Sequence, residues 1–212
     1  MSKQHEQLEA LRQIRSMMEK SSRFLSLSGL SGIIAGVTAL AGVTAAYWFL
    51  ELSLLEPGYY QLAVTAEGEL NGSFYLFFSI TFSLVLTVAL LGAAGMAVRR
   101  AKQEGRPVWD AVAKRLLINL LIPLFTGGLF CLILIYHELL AFVAPATLIF
   151  YGLALVNASK YTLDDIRSLG IVQIAIGLLA TVYPDYGLLF WAFGFGLLHI
   201  VYGVAMYNKY EK

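Results

Sequence analysis

The sequence predicts an all-α polytopic membrane protein: six transmembrane helices joined as three hairpins, with both termini cytoplasmic. Three observations carry that expectation. Of 212 residues, 58% are apolar and only 14% are charged, against roughly 25% charged in soluble domains. The charges fall at intervals and leave long uncharged runs between them, where a soluble protein would scatter charge along every element. All fifteen Lys and Arg residues lie on one side of the runs, as the positive-inside rule requires.

Residues 1–23 read as a cytoplasmic amphipathic helix. Leu11, Ile14 and Met18 recur at three and four residues, while Glu9/Arg12, Arg15/Glu19 and Glu19/Arg23 pair around the remaining surface. Three apolar anchors are too few for an autonomous coiled coil, so residues 8–18 offer self-association, docking on the bundle or contact with anionic lipid, in that order. The apolar run that follows is too long for a signal-peptide core, and the first span is expected to stay attached.

Residues 24–212 form the bundle, with spans at about 24–50, 74–98, 115–135, 139–156, 167–183 and 187–207. At about 1.5 Å per residue most can cross a hydrocarbon layer about 30 Å thick, whereas the fourth and fifth are short. Charge placement retains them. Lys and Arg number five before the first span, six between the second and third, two between the fourth and fifth, and two at the end. The other connections hold only Glu51, Glu56, Glu67, Glu69, His137, Glu138 and Asp185. Removing either short helix would place basic residues on the wrong face. Residues 51–73 form a polar outer loop, and His137-Glu138 and Tyr183–Gly187 form tight reversals. Tyr47, Trp48, Tyr59, Tyr60, Tyr75, Tyr136, Tyr183 and Tyr186 mark an outer aromatic belt, with Trp109 at the inner boundary. Pro123 and Pro145 are placed near span ends.

An internal repeat underlies the hairpins. The fourth span ends in Tyr151-Gly152-Leu-Ala-Leu-Val-Asn157 and the sixth in Tyr202-Gly203-Val-Ala-Met-Tyr-Asn208, while the second keeps Leu91-Gly92-Ala-Ala94. Gly29, Gly32, Gly36 and Ala39 of the first span align with Gly170, Gln173, Gly177 and Ala180 of the fifth, and the third keeps Gly128 and Cys131 of that frame. In lipid, close backbone approach through small residues is a main source of helix packing, so Gly29, Gly32, Gly36, Gly170, Gly177, Gly196 and Gly203 are read as packing positions.

Polar groups at membrane depth are the candidate site. Gln173 lies near the middle of the fifth span and His199 near the middle of the sixth, flanked by Gly196 and Gly203. A direct or water-bridged hydrogen bond between them is expected, with Tyr202 and Asn119 as further members. Asn157 and Asn208 are read as caps for exposed carbonyls. No lysine lies inside a span for a retinal Schiff base, and only His199 among three histidines reaches membrane depth, short of the two that bis-histidine haem ligation needs. Cys131 reads as a small buried hydrophobe. With no mid-membrane carboxylate, nucleophile–base pair or metal-ligand spacing, the expectation is a non-catalytic bundle with no cofactor and no metal. Lipids and a homo-oligomer formed through residues 8–18 or the glycine faces are the expected partners, without direct nucleic-acid binding. The alternative is a small transporter or channel built on Gln173 and His199.

The stretch from Arg15 to Gly32 (RSMMEKSSRFLSLSGLSG) and the run from Trp191 to Gly203 (WAFGFGLLHIVYG) resemble an uncharacterised group of small inner-membrane proteins of Bacteroidota. That resemblance spans nearly the whole chain. It implies a bacterial inner-membrane location and a regulatory or stress-linked role beside a winged-helix regulator. A looser similarity, confined to Gly170 through Gly203 with Pro184 in the turn, is to the HdeD-type acid-resistance membrane proteins.

Overall fold

The computed structural model describes residue 5 and residues 28–212 apart from 54, 104 and 106; the amphipathic helix expected at residues 1–23, residue 5 apart, lies outside them, as do its association positions 8–18. Six helices are long and apolar enough to cross a membrane. They are α1 (Gly29–Leu50), α2 (Gly72–Gln103), α3 (Ala111–Tyr136), α4 (Val143–Ala158), α5 (Asp164–Val182) and α6 (Pro184–Tyr210). The fourth span is longer than hydropathy suggests, because 3₁₀ turns at Leu140–Phe142 and Ser159–Tyr161 extend α4 at both ends.

Local chemistry sets the ends. Ser28 caps α1 by accepting the Leu30 N–H at 3.2 Å, and Asp110 caps α3 by accepting the Ala113 N–H at 2.7 Å. Glu51 and Glu138 adopt left-handed backbone, φ 55° and 61°, and end α1 and α3.

α5 packs chiefly on α4, and α6 packs chiefly on α1. These two seams share one design. A Cβ added at Gly170 would stand 2.7 Å from the Gly152 carbonyl, and one at Gly203 would stand 2.7 Å from the Gly29 carbonyl. At Gly177 it would lie 2.6 Å from Ile149 Cγ1 and 3.0 Å from Ile149 N; at Gly36 the same distances separate it from Ile200 Cγ1 and N. Backbones therefore touch at the same steps along both pairs, which only hydrogen in place of a side chain permits. Counted back by the same interval from Gly128, α3 carries Leu121 where α1 has Gly29 and α5 has Gly170. That side chain would run into a facing backbone, and no third seam of this kind forms: Gly128 has nothing within 4 Å of its Cβ position. α3 packs on α4 instead, with Gly127 against the Phe150 ring, and α2 packs on α1.

Pro123 lies in the interior of α3 rather than near its end, because the helix begins at Ala111. Proline has no N–H, so the carbonyl four residues earlier, that of Asn119, loses its helical donor. Asn157 Nδ2 on α4 donates to that carbonyl at 2.9 Å. Asn157 is thus a cross-brace between helices rather than the end cap its position suggested. Asn157→Leu should lower unfolding stability in detergent by about 1–2 kcal/mol, the cost of an orphaned acceptor, measured by thermal or denaturant unfolding.

The two ends are closed by different chemistry. At the basic end, Glu211 accepts from Ser28 Oγ at 3.0 Å and from the Gly29 N–H at 2.6 Å, and stands 3.5 Å from Arg100 Nη1. One carboxylate therefore joins α1, α2 and α6 and satisfies a helix N-terminus. At the opposite end, the loop between α1 and α2 folds over the bundle, burying Tyr59 and Ala63 against Val43, Ala46, Phe74 and Leu188. Tyr60 donates to Asp185 Oδ1 at 2.6 Å, a bond that raises the Tyr60 hydroxyl above the usual phenol range. The expected aromatic belt divides accordingly. Trp48 and Tyr136 are more than 80% exposed, whereas Tyr47 and Tyr59 are buried in the cap because the loop covers them.

Candidate functional site

The polar residues at membrane depth lie where α4, α5 and α6 meet. α6 is not uniformly α-helical: Ala192–Leu198, AFGFGLL, is π-helical, between α-helical Gly187–Trp191 and His199–Tyr210. Such segments are rare and carry an extra residue per turn, which turns every later side chain to a new face. Two glycines in the segment, Gly194 and Gly196, let neighbours close on it. A Cβ at Gly194 would stand 2.5 Å from Leu148 Cδ2 on α4 and 3.1 Å from Gln173 Nε2 on α5. Gly196 faces Leu40 of α1.

His199 follows directly and is 5% exposed. Its Nδ1 is 2.9 Å from the Gly194 carbonyl, and its Nε2 is 2.9 Å from the Tyr151 hydroxyl. A carbonyl can only accept, so Nδ1 carries the hydrogen, and in the neutral ring Nε2 accepts from Tyr151 Oη–H. Both nitrogens are therefore committed. Phe195 stacks on the imidazole with centroids 5.8 Å apart, and Trp191 continues the ladder 4.7 Å from Phe195. The ladder runs along one face of α6 toward the capped end.

Gln173 is the opposite case. It is 0% exposed, and neither amide atom has a hydrogen-bond partner among the described residues. The direct Gln173–His199 bond expected from sequence is not made, because Tyr151 and the Gly194 carbonyl occupy both imidazole nitrogens. Leaving an amide unpaired in apolar surroundings costs about 1–3 kcal/mol, so this position is the least satisfied polar group in the described core.

The remaining candidates sit elsewhere. Asn119 Nδ2 donates back to the Arg115 carbonyl at 2.8 Å, toward the basic end. Tyr202 packs beside Leu155, Ile166, Leu169 and Met206 at that end, apart from the imidazole. Asn208 is exposed. Among the described residues there is no group of three or more His, Cys, Asp or Glu that could hold a metal. Sequence reasoning missed Tyr151 as the partner of His199. The signal was present, since Tyr151 opens the same string as Tyr202, but that equivalence concealed different duties: one tyrosine meets an imidazole and the other packs among aliphatic side chains.

Comparison with protein-family models, curated proteins and solved structures finds no match.

Proposed function

We propose that the chain is a non-catalytic multi-pass bundle of the bacterial inner membrane, both termini cytoplasmic, that regulates or senses through self-association. What supports this reading is the closed state of its polar interior: His199 spends both nitrogens inside the fold, and Gln173 is fully enclosed. The orientation rests on the gathering of Lys and Arg at the end where Glu211 caps α1. The two matching seams support a hairpin used more than once, with the third copy altered at Leu121. For self-association the candidate is α2. Its packing partners are α1 and the covering loop, and Leu84, Leu91 and Gly95 face outward, Gly95 with nothing within 4 Å of its Cβ position.

The test uses native membranes and a Cys131→Ser background. Gly95→Cys should give a crosslinked dimer on oxidation, Gly128→Cys should not, and Gly95→Leu should release monomers by light scattering. Monomers throughout would defeat the oligomeric reading.

A second reading, a small transporter, is favoured by one observation: the unpartnered Gln173 amide beside a π-helical segment. Uptake by reconstituted vesicles that disappears in His199→Ala or Gln173→Leu would establish it.

A further inference from the structure

α3 and α4 touch closely at Gly127 and Phe150 and are joined again at Asn119 and Asn157 toward the basic end, with a gap opening to the side between these contacts. The gap is a groove of about 400 Å³ lined by Pro123, Thr126, Leu153, Val156, Asn157 and Lys160. Its walls are apolar for most of their length. Thr126 turns its hydroxyl back to the Ile122 carbonyl at 2.9 Å, which leaves only methyl and methylene surface on that wall. Toward the basic end the chemistry changes: the Asn157–Asn119 bond bridges the two helices, and Lys160 stands at the mouth with Nζ 3.3 Å from Asn157 Oδ1.

The charge at that mouth is unbalanced. Two cations at the basic end have carboxylate partners among the described residues, Arg100 with Glu211 and Lys209 with Asp165. Lys160 has none among the described residues, and Lys114 and Arg115 begin α3 at the same end, where α3 also contacts the Ser159–Tyr161 turn. An apolar groove open to the bilayer, ending in an amide and an ammonium without a carboxylate partner among the described residues, matches one class of ligand.

We propose that this groove binds an anionic phospholipid of the leaflet facing the basic end, one acyl chain lying between α3 and α4 and the phosphate at Lys160. The apolar lining suits the acyl chain, and Lys160 selects the charge. This assignment goes beyond the reading above and does not depend on it, since it concerns a different face of the bundle.

The purified full chain is examined by native mass spectrometry with added phosphatidylglycerol or phosphatidylcholine of identical acyl chains. Wild type should retain phosphatidylglycerol more tightly. Lys160→Gln should cut that preference about fivefold, the worth of one basic side chain at a lipid surface, without changing phosphatidylcholine retention. Leu153→Trp, which fills the groove from its lipid side, should abolish retention of both lipids while the melting temperature holds. Arg167→Gln, a basic-end cation on α5, is the control and should leave the ratio unchanged. A ratio indifferent to Lys160→Gln, an equal loss in Arg167→Gln, or a second protein chain crosslinked into the groove would each overturn the proposal.

Discussion

Gly203→Leu is expected to break the bundle. The new side chain would meet the Gly29 carbonyl and the Ile33 backbone nitrogen within 2.8 Å of its first carbon, and backbone cannot turn aside as a flexible side chain can. Overpacking of well-fitted interiors costs about 1–3 kcal/mol, and here the upper end or more is expected because two helices must separate along their whole seam. The measurement is denaturant unfolding in detergent, with monodispersity on gel filtration as the second readout. Gly128→Leu is the internal comparison. It adds the same side chain to a glycine with nothing within 4 Å, and should change stability by less than about 0.5 kcal/mol. Equal behaviour of the two variants would contradict the seam geometry.

The second large effect has the opposite sign. Gln173→Leu should raise stability by about 1–3 kcal/mol, because it replaces an enclosed amide lacking partners by an apolar side chain of similar size. At about 2–4 °C per kcal/mol for a chain of this length, the melting temperature should rise by several degrees. Gln173→Met, unbranched like glutamine, should do the same, which guards against an accident of shape. A fall in stability with both would mean that the amide is satisfied in the membrane, by water or by a bound molecule. The same variants separate the two functional readings. A bundle that works by association should keep its activity, whereas a transporter built on this amide should become more stable and inactive.

How far these features were legible in the residues depends on the length scale of the physics involved. The six spans and their charge asymmetry are properties of whole segments and of transfer from water to lipid, so they read directly from composition. The glycines at Gly29, Gly36, Gly170, Gly177 and Gly203 were legible as packing positions, because in lipid little else explains small residues at that spacing. Which helix each would face was not legible. The pairing of α1 with α6 and of α5 with α4 follows from the way the six helices close on one another, and no local pattern encodes it. Pro123 and Asn119 stand four residues apart, a separation that frees one carbonyl and gives Asn157 its task, and that spacing was the signal available in the residues. The π-helical segment was not readable, since Ala192–Leu198 has the hydropathy of any membrane helix; that segment is why the Gly194 carbonyl, and not Gln173, reaches His199.

The carboxylate that joins α1, α2 and α6 ties the shape of the molecule to the order of its synthesis. Gly29 and Glu211 are separated by 182 positions, so α1 enters the bilayer without the partner of its Gly29 N–H and with its glycine face against lipid while five more helices are made. A contact of that sequence separation forms late. Docking of α6 and pairing of the Gly29 N–H with Glu211 then become a single event, one that occurs only after every intervening helix has been delivered. A half-made molecule is distinguishable from a finished one by whether the Gly29 amide has met its carboxylate.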